Sequence, residues 1–159
     1  MTPLLSQYEN IVGTDVIEQL RQLAQPLKGI KIVHVNSTRE GGGVAEILRS
    51  LVPLKQEIGL DTHWEVITGT QSFYECTKTM HNALQGNSTV ITEPALRMYE
   101  QTNADNFEML RPVCEDADFV FIHDPQPAAL LHFCPKRRGK WFWRCHIDVS
   151  HPFRPVWKY

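Results

Sequence analysis

Apolar and polar positions along the chain follow two rhythms. Short β-branched runs are separated by longer stretches in which apolar residues recur every three or four positions, the spacing of one helix face. Ser6 to Gly13 reads as a lead-in with a short helical turn. Thr14 is placed to cap a helix through Gln25, with Val16, Ile17, Leu20, Leu23 and Ala24 at helical spacing and Pro26 and Gly29 closing it. Ile30 to Asn36 is apolar enough for a strand buried on both faces. Three glycines, Gly41 to Gly43, lead into a helix lined by Val44, Ile47, Leu48, Leu51, Leu54 and Ile58 and ended by Gly59. Pro53 lies inside that pattern and predicts a kink or a break after Val52.

Thr62 to Thr68 reads as a second strand, stopped by Gly69. A helix from Ser72 to Leu84 should turn Phe73, Cys76, Thr77, Met80 and Leu84 inward, with Gly86 as its stop. Thr92-Glu93-Pro94 has the form of an N-cap followed by a first-turn proline, opening a helix to about Gln101. The polar stretch Thr102 to Asn106 is expected to interrupt it before a second helical piece, from Leu110 to Asp116. Asp118 to His123 is the next buried strand, with Pro125 and Pro127 bracketing its exit and a helix beginning within Ala128 to Phe133. After the basic turn Pro135 to Gly139, read as solvated surface, Lys140 to Ile147 is a fourth strand. Ser150 or Pro152 opens a last helix that has barely begun at Tyr159, which gives the expectation of a truncated chain.

Strands alternating with helices predict an α/β fold: a Rossmann-like parallel sheet with helices on both faces, formed by one domain over residues 1–159. Right-handed crossovers bring every strand's carboxyl end to one edge, where such sheets bind ligands. Leaving the strands there are Asn36 to Gly43, Thr68-Gly69, His123-Asp124-Pro125-Gln126 and Cys145-His146-Ile147-Asp148. Glycines, two histidines, two aspartates and polar amides therefore converge on one rim.

Composition narrows the function classes. A net charge of -2 and a pI near 6.4 give no electrostatic footprint for nucleic acid. No apolar run approaches the roughly 20 residues that span a bilayer, and Met1 to Ser6 lacks the basic and apolar segments of a signal peptide. Cys76, Cys114, Cys134 and Cys145 are widely spaced and read as reduced packing cysteines of a cytoplasmic protein, not as a disulfide frame or zinc site, and neither nucleic acid nor membrane is expected as a partner.

The glycine loop is either a flexible turn or a place where a ligand reaches the main chain; its seat between a buried strand and a helix N-terminus favours ligand contact. It matches neither nucleotide motif: there is no G-x-x-x-x-G-K-[ST], and Glu46 stands where G-x-G-x-x-G needs its third glycine. His123-Asp124 and His146-x-Asp148 admit three readings: a metal cluster, a structural strand end, or hydrogen-bonding partners of a hydroxyl-rich ligand, the last favoured. No metal is expected. His34 and His81 read as core histidines, His63, His132 and His151 lack supporting context, and Trp141 with Trp143 reads as core packing on one sheet face.

Several blocks together resemble the trehalose glycosyltransferring synthases of glycosyltransferase family 4. They are His34-Val35-Asn36-Ser37-Thr38, Gly41 to Leu48, Trp64 to Ile67, His81 to Gly86, Ile122 to Pro127 and Trp143 to Ser150. The resemblance runs from about Leu5 to Tyr159. It implies the amino-terminal half of a GT-B fold, in which two Rossmann-like domains face each other across a cleft. It also implies a reaction, transfer of glucose from a nucleoside diphosphate glucose to glucose with retention, and no cofactor. By this resemblance His146 is the catalytic residue, beside the donor glucose. Gly42 and Gly43 approach the donor diphosphate and the sugars, with Gly41 beside them in the substrate-binding set, and Asp124 and Gln126 hold acceptor hydroxyls. Asn36, Glu46, His123, Arg144 and Asp148 complete the substrate-binding set.

The family's chains are more than twice as long, and the donor-binding domain has no counterpart here. The expectation is that this chain alone has little or no transferase activity. Its partners would be the two sugars, a separate carboxy-terminal half, or a second copy in a homodimer through Phe153, Val156, Trp157 and Tyr159. Two other classes compete: a catalytically silent sugar-binding or self-assembling fragment, and a small standalone α/β enzyme.

Overall fold

A computed structural model describes residues 3–159. In chain order the elements are α1 (Leu4–Val12), α2 (Thr14–Ala24), β1 (Lys31–Asn36), α3 (Gly43–Glu57), β2 (Asp61–Val66), α4 (Gln71–Leu84), α5 (Glu93–Cys114), β3 (Phe119–His123), β4 (Lys140–Arg144) and α6 (Arg154–Trp157). Short 3-10 turns occupy Gln25–Leu27 and Ala128–Phe133. The lead-in before Gly13 is a full helix, anchored where the backbone N–H groups of Leu4 and Leu5 donate to the Glu57 carboxylate at 2.6 and 2.8 Å. That carboxylate sits at the positive end of α1.

All four strands are parallel, in the order β2-β1-β3-β4. The α/β architecture expected from the alternation is the one observed, with helices on both faces. Alternation along a strand separates the faces. Val33, Val35, Val120 and Ile122 join Phe73, Met80, Tyr99, Phe107 and Leu110 of α4 and α5 in the main core. Ile32, His34 and Asn36 point the other way, towards α3, which buries Ala45, Leu48 and Val52.

The departures from the expected elements have physical causes. Helix α3 continues through Pro53, four residues after exposed Arg49, whose carbonyl a proline cannot bond. Its inward stripe is Ala45, Leu48, Val52 and then Lys55, rotated from the expected one, so Ile47 lies exposed. On α2 only Ile17 and Ala24 are buried; Val16, Leu20 and Leu23 are exposed. Strand β4 ends at Arg144, and Cys145 to Asp148 already belong to the loop.

Helix α5 runs unbroken through Thr102 to Asn106. The polarity there serves tertiary hydrogen bonds. Buried Asn106 accepts from the Thr68 N–H (2.8 Å) and donates to the carbonyls of Thr68 and Thr102 (both 2.7 Å). Buried Asn103 donates to the carbonyls of Tyr99 (3.0 Å) and Gln126 (3.1 Å). The Tyr99 hydroxyl donates to the Pro125 carbonyl at 2.8 Å and accepts from the Ala129 N–H at 3.2 Å. One helix thus pins the segments that leave β2 and β3.

Candidate functional site

The strand order puts a topological switch point between the carboxyl ends of β1 and β3. Register decides what stands there. His34 pairs with Phe121 and His123 pairs with Arg144, so His34, Phe121, His123, Phe142 and Arg144 share one face. His34 Nδ1 and His123 Nε2 share a hydrogen bond of 3.0 Å, and His123 Nδ1 meets His146 Nε2 at 2.8 Å. At the inner end Lys55 Nζ lies 2.9 Å from His34 Nε2. The four residues form a staircase from α3, across two strands, to the loop after β4.

Burial makes the imidazoles hard to charge. It lowers His34 to about 3, reinforced by Lys55, His123 and Arg144. It lowers His123 to about 4, reinforced by His146 and Arg144. His146, half-buried, is lowered for the same reason, with Asp124 pulling the other way. Lys55 is lowered by desolvation and by Arg144. Phe121 stacks on His34 with centroids 5.0 Å apart and carries the Lys55 ammonium over its own ring at 5.1 Å.

Asp124 follows β3 and turns the chain sharply. Among the described residues it is the one non-glycine residue in the left-handed region, at φ 64. Such a conformation is strained for a side chain bearing Cβ, and it persists where surroundings over-determine it. Here three contacts do so. The Asp124 N–H donates to the Arg144 carbonyl (3.0 Å), its carbonyl accepts from the Trp143 indole (2.9 Å), and Oδ1 accepts from the His146 N–H (2.7 Å). Trp143 is therefore a half-exposed brace for the turn; Trp141 alone of the pair packs on the core.

The glycine loop leaves β1 at the same edge. Gly41 and Gly42 have φ of 72 and 83, Gly43 opens α3, and a Cβ on any of the three would meet nothing within 4 Å. Gly41 and Gly42 are required by backbone conformation, and all three stand beside open space at a helix N-terminus.

Other predicted residues are placed less freely. Asn36 is buried: its Oδ1 accepts from the Trp64 indole (2.8 Å) and its Nδ2 donates to the Thr38 carbonyl (2.8 Å), so it braces the loop start and does not face the rim. His123, 1% exposed, reaches the rim only through His146. Asp148 is exposed, and its Oδ1 accepts from the N–H (2.9 Å) and hydroxyl (2.6 Å) of Ser150, which hold its carboxyl below the usual range. Gln126 is half-buried with its Oε1 unpaired, and Glu46 and Arg144 are exposed. His34 is no isolated core histidine, and His81 is only half-buried. Among the described residues no group of three or more His, Cys, Asp or Glu is placed to hold a metal ion. No described helix is long and apolar enough to cross a membrane.

The family description "Trehalose synthase, N-terminal domain" matches residues 34–159. The chain belongs to this trehalose synthase family. It is 46% identical to the trehalose synthase of Pyrococcus horikoshii and 41% identical to that of Rubrobacter xylanophilus, each over 98% of this chain. A trehalose phosphorylase of Grifola frondosa is 29% identical, again over 98% of this chain. The chain spans 37% of the Pyrococcus trehalose synthase and 24% of the phosphorylase. The trehalose synthase match begins at His34, so it takes in the histidine staircase, the glycine loop and Asp124 whole. Lys55 is the member of the staircase that reading the sequence passed over. Its signal is a lysine continuing the inward stripe Ala45, Leu48, Val52 of an otherwise apolar helix face.

Proposed function

We propose that this chain is the acceptor-side half of a retaining glucosyltransferase that moves glucose from a nucleoside diphosphate glucose to glucose. The reading rests above all on the strained Asp124 held against His146 at the switch point. Asp124 Oδ1 is taken by the His146 N–H, and Oδ2 remains to accept from a sugar hydroxyl. The His146 ring then stands beside the bound hexose. The open N-terminus of α3 behind Gly41 and Gly42 offers N–H groups to a diphosphate. Positioning and electrostatics are what such a transfer asks of its protein.

Glycosyl chemistry is common ground between the trehalose synthases and the trehalose phosphorylases among the relatives. The donor-binding half would be a separate polypeptide or a further part of the protein. The test is trehalose formation from UDP-, ADP- or GDP-glucose and glucose, with and without the carboxy-terminal part of the Pyrococcus horikoshii trehalose synthase. The chain alone should bind glucose yet form no trehalose, and mixing should restore synthesis. The absence of both sugar affinity and recovery on mixing would sink the reading, and turnover by the chain alone would favour a standalone enzyme.

A self-assembling fragment is a second reading, favoured by one apolar face. Met80, Leu84, Pro125, Trp143, Val156 and Trp157 line a hollow there, and the rings of Trp143 and Trp157 lie 6.2 Å apart in the open. Sedimentation should then show a homodimer that Trp157→Ser converts to monomer.

A further inference from the structure

The staircase has a direction, and the direction comes from its buried end. A lysine ammonium carries three donors and no acceptor, so Lys55 can only donate to His34 Nε2. A neutral imidazole has one N–H and one lone pair. With Nε2 accepting, His34 must carry its proton on Nδ1 and give it to His123 Nε2. The same logic moves the His123 proton to Nδ1, from which it is donated to His146 Nε2. His146 is then left with its N–H on Nδ1, the ring atom that takes no part in the staircase.

We infer that Lys55 is a positioning residue that fixes the tautomer of His146 through His34 and His123, so that His146 presents an N–H donor, and not a lone pair, to whatever binds at the rim. The ring is thereby suited to a ligand oxygen that accepts, such as a sugar hydroxyl, ether or phosphate oxygen, and unsuited to taking a proton from one. This deepens the glucosyltransferase reading and rests on it for the identity of the ligand. The wiring itself rests on the geometry.

Neighbouring groups are compatible with the direction. The strong lowering of His34 and His123 keeps both rings neutral near neutral pH, as one N–H per ring requires. The charged groups that face the staircase are Lys55 from α3, Arg144 from the end of β4 and Asp124 from the turn after β3. Asp124 takes the His146 backbone N–H at 2.7 Å and does not compete for the Nε2 link. Reversing the staircase would require Lys55 to accept, which an ammonium cannot do.

Long-range proton–nitrogen NMR on the full chain, labelled at histidine, reads each ring's tautomer directly. His34, His123 and His146 should all show the Nδ1–H form at pH 7 in the unaltered protein. Lys55→Met removes the donor while keeping a long apolar stem, and the His146 signal should lose its exclusive Nδ1–H signature. Lys55→Arg, still donor-only, should retain it. An Nε2–H form of His146 in the unaltered protein overturns the inference, and that measurement needs no variant to fold. So does a pure Nδ1–H signature surviving in a folded Lys55→Met chain. Glucose added to the same samples separates the two levels: a His146 ring in the expected tautomer whose chemical shifts do not move with glucose upholds the wiring and counts against the sugar reading.

Discussion

The backbone N–H of His146 donates to Asp124 Oδ1 at 2.7 Å, tying the loop after β4 to the one strained turn after β3. Because the same histidine's ring closes the staircase, this single bond aligns the rim residue with both strands beneath it.

Asp124→Asn tests the carboxylate apart from the turn. Asn tolerates the left-handed region and keeps an oxygen for the His146 N–H. Stability measured by urea unfolding should change by no more than about 0.5 kcal/mol. Glucose affinity measured by calorimetry should fall by roughly tenfold or more, the scale of one hydrogen bond to a charged group. Asp124→Val, β-branched at φ 64, should instead destabilise the fold by about 1–3 kcal/mol.

The staircase makes the protein sensitive to acid. His34 and His123 hold folded-state values of about 3 and about 4, against 6.5 when unfolded. The unfolded chain therefore binds more protons between those values. Stability is full above pH 6.5 and falls as the pH drops towards 4, with a limiting slope on the order of 1.4 kcal/mol per pH unit for each ring. Urea midpoints taken from pH 7.5 to 4.5 should show this slope, and His34→Phe should flatten it.

Gly139→Ala probes a steric constraint away from the site. A Cβ there would lie 2.1 Å from the Asp118 carbonyl oxygen and 2.2 Å from that of Ala117, both rigid backbone. The turn must move, breaking the link of the Lys140 N–H to the Asp118 carbonyl at 2.9 Å. We expect a loss of about 2 kcal/mol or more in thermal unfolding. Gly41→Ala meets open space and carries only the left-handed penalty of about 1–2 kcal/mol.

Asn106→Ala should be among the more damaging changes outside the site. It strands the N–H and carbonyl of Thr68, each now paired with the amide at 2.8 and 2.7 Å. The expected loss is about 2–4 kcal/mol by urea unfolding. Exchange of the Thr68 amide proton should accelerate, since that hydrogen bond holds the exit from β2.

Much of this fold is legible along the chain, because burial and periodicity coincide where an element packs on one side only. Every residue expected to turn inward on α4, Phe73, Cys76, Thr77, Met80 and Leu84, is buried, joined by Ala83, and β1 and β3 lie where their apolar runs stand. Thr92 caps α5 by accepting from the Ala95 N–H. What escapes is whatever depends on a distant partner. Asn103 and Asn106 look like a helix break until Gln126 and Thr68 are beside them. Leu23 has core chemistry and helical spacing, yet it lies exposed on the outward side of α2 among the described residues.

The same distinction holds at the rim. Convergence of the glycine loop, His123-Asp124 and His146 on one edge follows from parallel strands, which the alternation of elements announces; the order that sets them side by side comes from the structure. The wiring of Lys55 to His146 needs the register His34 to Phe121 and a helix phase that Pro53 obscured. Asn36 carries the right chemistry for a sugar, but Trp64 and Thr38 already occupy it, and Ser150 takes one oxygen of Asp148.

The place of β4 in the sheet bears on how the protein behaves at high concentration. It is the outermost strand beside β3, and the run Trp141-Phe142-Trp143 has one backbone edge that no described strand pairs. An aromatic strand with a free edge is a template for a second molecule's strand. Lys140 and Arg144 close the run at both ends, so two copies aligned in register would bring like charges together. Colloidal stability should therefore decline with added salt, which screens those flanking cations, before the core itself loosens.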